Sequence, residues 1–287
     1  MEISPVLEKE LRQRFRTVKT PWILAFYLWT LGGVVLAFIF LATAPQSGFF
    51  DPSYGEGLFM ILSLIQLGLL GFVVPGLTSG AISGERERQT LDVLLVTPLS
   101  PGEIVVSKLL ATSAFITLLV VATLPLYILA FSYGGFPLAG VAKVFSLYLV
   151  AILFWGSLGI ACSAYIKRTG PSTVTAYALV FLQAVGTGLL ALYLKSLDSR
   201  LLGPSPDPAQ WNSPFLAGWA EFLFKINPVT VMLDVLTGGK GDVLGLGFFF
   251  SHSHLPLPPW GFYTIFYLAL ALLLLWLAAR QSQPRQK

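Results

Sequence analysis

The sequence predicts an all-α integral membrane protein with six transmembrane helices. Three observations carry that expectation. Of 287 residues, 55% are hydrophobic and only 11% charged, with a mean hydropathy of +0.76, whereas an ordinary soluble domain is about a quarter charged. Six stretches are apolar for the ~20 residues that a spanning helix needs. Thirteen of the eighteen Lys and Arg fall on one side once those spans are drawn, the asymmetry of the positive-inside rule. The same composition excludes a soluble enzyme and a disordered chain. The single cysteine, Cys162, excludes an intramolecular disulfide and a multi-cysteine metal cluster.

The elements follow in order. Residues 1–20 open with Ser4-Pro5, an N-cap followed by proline at the first helical position. Ile3, Val6, Leu7, Leu11, Phe15 and Val18 recur at helical spacing, with Glu8, Lys9, Arg12, Arg16 and Lys19 on the other face. This predicts an amphipathic helix lying in the membrane surface; the plainer alternative is a basic flank. Pro21 is expected to end it. The spans are read at 21–43, 56–79, 104–131, 139–166, 172–194 and 260–279. Ala42-Thr43-Ala44 looks like a signal-peptidase site, but an apolar core of about 20 residues exceeds a typical signal peptide, so the first span is read as uncleaved. With the N-terminus inside, Lys143, Lys195, Arg200, Lys225 and Lys240 lie outside and the other thirteen cations inside, which puts both termini in the cytoplasm.

The most informative connection is the inner loop 80–103. Charges open it at Glu85, Arg86, Glu87 and Arg88; then Leu91, Leu94 and Leu95 fall at i, i+3 and i+4. Pro98 stops that short helix. Ser100 and Glu103 form a capping box with Pro101 at the first helical position of the third span, and Lys108 can snorkel from its start. A short helix with an apolar stripe is marginal alone, so it needs either a groove on a cytoplasmic protein or the headgroup surface.

The run Ile82-Ser83-Gly84-Glu85-Arg86-Glu87-Arg88-Gln89-Thr90-Leu91-Asp92-Val93-Leu94-Leu95-Val96-Thr97-Pro98-Leu99-Ser100, with Lys108 beyond it, resembles the signature of the ABC-2 type permeases. Pro5 to Arg12 is similar to the elbow helix of that family, and six spans and Ile226-Asn227-Pro228 match it too. The resemblance implies one transmembrane domain over 1–287, the permease subunit of an ATP-driven ABC exporter in a prokaryotic inner membrane. In that family the loop carries a coupling helix seated on a separate ATPase subunit. Glu85, Arg86, Glu87, Arg88 and Thr90 would then supply polar contacts, and Leu91, Leu94 and Leu95 would pack into the groove or against neighbouring inner helix ends. ATP and Mg would be bound by that partner, and a second permease, identical or different, would complete the path in the lipid bilayer. A subunit that docks an ATPase without moving cargo, or a membrane scaffold, is the alternative.

Other chemistry is sparse. No G-x-x-x-x-G-K-[ST] is present, so the chain has no phosphate cradle of that kind; nor is there an H-E-x-x-H. A serine protease of the rhomboid kind would need a Ser and a His at membrane depth, but Ser157 is a weak match and the only histidines, His252 and His254, are read in the outer loop before the last span. That His pair lacks a third metal ligand nearby. Nothing points to nucleic acid or to a resident cofactor. Gly76, Gly80 and Gly84 form tandem G-x-x-x-G and are candidates for close helix packing. Pro75 and Pro125 should kink spans two and three. Gln66 and Gln183, the most polar residues near mid-membrane, could line a path or bond neighbouring helices. No ionisable group lies deep in a span, which argues against ion coupling and for a lipid-like or amphipathic cargo.

The outer segment 195–259 should contain two helices. Ser213-Pro214 and Asn227-Pro228 each read as N-cap plus proline, giving helices at about 214–226 and 228–237, with Gly238-Gly239 closing the second. Glu221 and Lys225 can pair at i, i+4. Phe215, Leu216, Trp219, Phe222, Leu223 and Phe224 make the first too apolar for water, so it should dip into the outer leaflet or cap the bundle, as a gate or as a fixed plug.

Overall fold

A computed structural model describes residues 8, 12, 19–42, 53–89, 101–134, 136–203, 213–238 and 257–281. All regular structure among them is helical: α1 Lys19–Ala42, α2 Ser53–Thr78, α3 Ser83–Glu87, α4 Pro101–Ala122, α5 Leu124–Tyr133, α6 Leu138–Tyr165, α7 Thr169–Phe181, a π turn Leu182–Gly186, α8 Thr187–Leu202, α9 Pro214–Ile226, α10 Pro228–Thr237 and α11 Pro259–Gln281. Six stretches are long and apolar enough to span a membrane: Pro21–Leu41, Tyr54–Glu87, Gly102–Tyr133, Leu138–Tyr165, Thr169–Leu202 and Pro259–Gln281. They coincide with the six spans read from the sequence. The fifth runs on past residue 194 to Leu202, because no helix-breaking residue intervenes before Gly203, which takes φ +85°. The stretches expected at 1–20 and 90–100 lie outside the described residues, except that Glu8 and Arg12 are helical and pair at 2.6 Å, i to i+4. Pro21 sits in the first turn of α1 rather than ending a helix there, a position where its missing N–H costs nothing.

The spans differ in what they meet. In the most apolar window of the fourth, 78% of residues are buried, against 17% in the first and 11% in the fifth. The fourth is thus the most enclosed of the six. The others present Trp22, Phe26, Trp29 and Phe40, and Phe181, Leu182, Leu189 and Tyr193, outward, as lipid-facing helices do.

The chain forms two compact units. The first comprises residues 1–136, 149–178 and 268–287. Within it the third span breaks at Thr123, between α4 and α5, with Pro125 in the opening turn of α5. The break is sealed by polar side chains. Thr123 Oγ1 donates to the Val120 carbonyl (2.7 Å), Gln66 Nε2 donates to Thr123 Oγ1 (3.1 Å), and Tyr127 Oη donates to Gln66 Oε1 (2.5 Å). A backbone interruption at membrane depth needs such partners, since lipid supplies none.

The second unit comprises residues 137–148 and 179–267. It holds α9 and α10 with the bounds that the caps predicted. Ser213 Oγ accepts from the Leu216 amide, and Asn227 Oδ1 from those of Val229 and Thr230. Gly238 closes α10 in the left-handed region at φ 62°. Lys225 and Glu221 pair at 2.6 Å with both side chains largely buried. Ala191, Ala220 and Phe224 pack α9 against α8, and Phe215 and Trp219 stay exposed.

Candidate functional site

The polar interactions of the first unit converge on the start of the loop between spans two and three. After Thr78 the second span turns over residues 79–82 into α3, beyond which Gln89 is left-handed at φ 57°. The turn frees backbone groups, and other helices satisfy them. Ser163 Oγ, on the fourth span, accepts from the Ile82 amide at 2.9 Å and the Ser83 amide at 2.8 Å. From the fifth span Ser172 Oγ donates to the Ser79 carbonyl at 2.7 Å, and Thr173 Oγ1 lies 2.9 Å from Ser79 Oγ. Beneath, Ile82, Val105, Leu109, Ile160, Ala161, Ala164 and Ala278 form one buried apolar cluster.

Two charges of the loop are engaged in the chain itself. Glu85 Oε1 meets Lys108 Nζ at 2.6 Å, with the lysine only 4% exposed, so α3 is tied to the third span. The Glu87 carboxylate accepts from the Thr169 amide at 2.9 Å and from Thr169 Oγ1 at 2.7 Å. It thereby caps the first turn of α7, where orphan amides and the helix dipole favour an anion. Arg88 is exposed and Arg86 half-buried. Thr90, Leu91, Leu94 and Leu95 lie outside the described residues, as do Ser100 and the histidines.

Of the three glycines at G-x-x-x-G spacing, only Gly76 makes a close approach. A Cβ there would stand 2.6 Å from the hydroxyl of Tyr177, which donates to the Phe72 carbonyl at 2.9 Å. At Gly80 and Gly84 a Cβ would meet nothing nearer than 4.0 and 3.5 Å. The tight approach is made instead by Gly159 of the fourth span, where a Cβ would lie 2.0 Å from Thr78 Oγ1, and by Gly156, 2.7 Å from Leu109 Cδ1. The spacing Gly159-x-x-x-Ser163 was the available signal.

The mid-span amides both make interhelical bonds. Gln66 is fully buried in the Thr123–Tyr127 knot. Gln183 Nε2 donates to the Ile226 carbonyl (3.1 Å) and to Tyr267 Oη (2.9 Å). Ser157 is buried and donates to the Phe154 carbonyl at 2.8 Å. Among the described residues no three of His, Cys, Asp and Glu gather as metal ligands.

Six helices long and apolar enough to cross a membrane define a multi-pass membrane protein. The family model described as ABC-2 family transporter protein matches residues 4–279, and the chain belongs to that family. It is accordingly a membrane component of an ABC transporter. No curated protein matches the sequence.

Proposed function

We propose that the chain is the permease subunit of an ABC exporter, paired with a second permease and driven through the loop 80–103 by a separate ATPase subunit that binds ATP and Mg. The observation that carries this reading is the fastening of α3. Glu85 ties it to the third span, the Ser163 hydroxyl to the fourth, and Glu87 to the start of the fifth. A displacement applied to the loop is delivered to three spans at once, the mechanical requirement for converting a partner's closure into movement of a membrane path. Arg86 and Arg88, with Leu91, Leu94 and Leu95, are then the surface offered to the partner, in a prokaryotic cell membrane with both termini cytoplasmic. Glu85 and Glu87 act one step behind that surface, as residues that position it.

The test is co-purification of the tagged chain from its native host in mild detergent, with ATPase assay of what accompanies it. Wild type should bring down an ATPase. Changing Arg86, Arg88 and Leu94 together to Ala should lose it. An unchanged complex in that variant, or no ATPase in either, overturns docking through this loop. Nucleotide-dependent transport in vesicles separates an exporter from a docking scaffold.

A further inference from the structure

The fifth span is interrupted by the π turn Leu182–Gly186, and what surrounds that turn in the second unit is an organised set of hydrogen bonds. A π turn closes i to i+5 and so accommodates one residue more than an α-helical turn; such turns occur mostly singly within α-helices. Here the residues of the turn meet the junction between α9 and α10. Asn227 Nδ2 donates to the Ala184 carbonyl at 2.8 Å and to Thr187 Oγ1 at 2.9 Å. Its other atom, Oδ1, accepts from the Val229 and Thr230 amides at 2.8 and 3.1 Å. One buried amide therefore caps α10 with its oxygen and grips the π turn with its nitrogen. Gln183, inside the turn, donates to the Ile226 carbonyl at 3.1 Å, and Tyr267 Oη donates to the same carbonyl at 2.6 Å. Gly188 leaves the room needed: a Cβ there would stand 3.2 Å from Asn227 Nδ2.

We propose that the Asn227 side-chain amide is a latch that holds the fifth span in its π register, and that its release during the transport cycle lets the turn revert to α-helix. Reversion moves the register by one residue. Residues from Thr187 to Leu202 would then turn by about 100° about the helix axis and shift by about 1.5 Å, carrying the face that packs on α9 with them. Asn227 is a positioning residue in this scheme: it acts through the carbonyl of Ala184 and touches no cargo. The cycle that works the latch rests on the permease reading above; the latch itself does not.

The experiment is hydrogen–deuterium exchange of the full chain in lipid nanodiscs, alone and with the ATPase that co-purifies. Asn227→Ser and Asn227→Asp both keep an oxygen able to cap α10 but lose the nitrogen donor. Interconversion of the π and α registers breaks the backbone bonds of the turn, so both should raise exchange at amides 184–188 by about tenfold or more, with amides 231–237 within about twofold of wild type. Unchanged exchange at 184–188, or an equal rise through α9 and α10, overturns the latch. With the ATPase present and turning over ATP, wild type should show raised exchange at 184–188, while the Asn227 variants, already interconverting, should not respond. A wild-type turn that stays protected during turnover overturns the switch, although an ATPase that is bound and active leaves the permease reading intact.

Discussion

At the scale of the residue, the serine at 163 holds two backbone amides that the turn after the second span would otherwise strand. Removing one acceptor from buried donors costs about 1–3 kcal/mol, so Ser163→Ala should lower the unfolding midpoint in detergent, and Ser163→Thr, which keeps the oxygen, should lose less. Gly159 makes the complementary case. Its Cα packs so closely on Thr78 that a methyl group would meet Thr78 Cβ at 2.9 Å and the Ser79 amide nitrogen at 3.3 Å, neither being the free end of a flexible chain. Gly159→Ala should destabilise by about 1–3 kcal/mol, whereas Gly80→Ala and Gly84→Ala should be close to neutral in the same melt. Sequence spacing pointed to the second span as the small-residue helix. It could not tell which of two small-residue runs supplies the close approach, because that depends on which helix lies opposite.

At the scale of the element, local rules were the readable ones. Ser213-Pro214 and Asn227-Pro228 set the starts of α9 and α10, and Gly238 the end, from chemistry within a few residues. The π turn left no such mark. Leu182 to Gly186 read as ordinary apolar helix, and the groups that hold the extra residue, Asn227 and Tyr267, are 43 and 84 positions from Ala184 and Gln183. The direction of a charge was hidden for the same reason: Glu85 and Glu87 looked like surface residues until Lys108 and Thr169 were seen beside them. Glu87→Ala, which removes both acceptors from Thr169, should lower the unfolding midpoint in detergent; an unchanged midpoint would show that this cap contributes nothing.

At the scale of the molecule, span number and family membership were both legible, because hydrophobic length and one loop signature suffice for them. The enclosure of the fourth helix was not, since all six spans are apolar and differ in what surrounds them. On the proposed reading, six spans leave the two termini on the same side, and the bias of Lys and Arg toward that side predicts that it is the cytoplasm. A fluorescent protein fused after Lys287 should fluoresce, and alkaline phosphatase inserted within 204–212 should be active. The reverse pattern would invert the molecule and remove its loop from reach of a cytoplasmic ATPase.

The ion pair between Lys108 and Glu85 also bears on how the chain enters the bilayer. The partners are 23 residues apart, on the facing arms of the hairpin made by spans two and three. A lysine crossing apolar surroundings alone is costly, but this one finds its counter-charge in the segment synthesised just before it. The hairpin can therefore leave the translocon as a neutralised pair, before the fourth to sixth spans exist. The contact that fastens the finished loop is thus also available early in biogenesis, once the third span has begun.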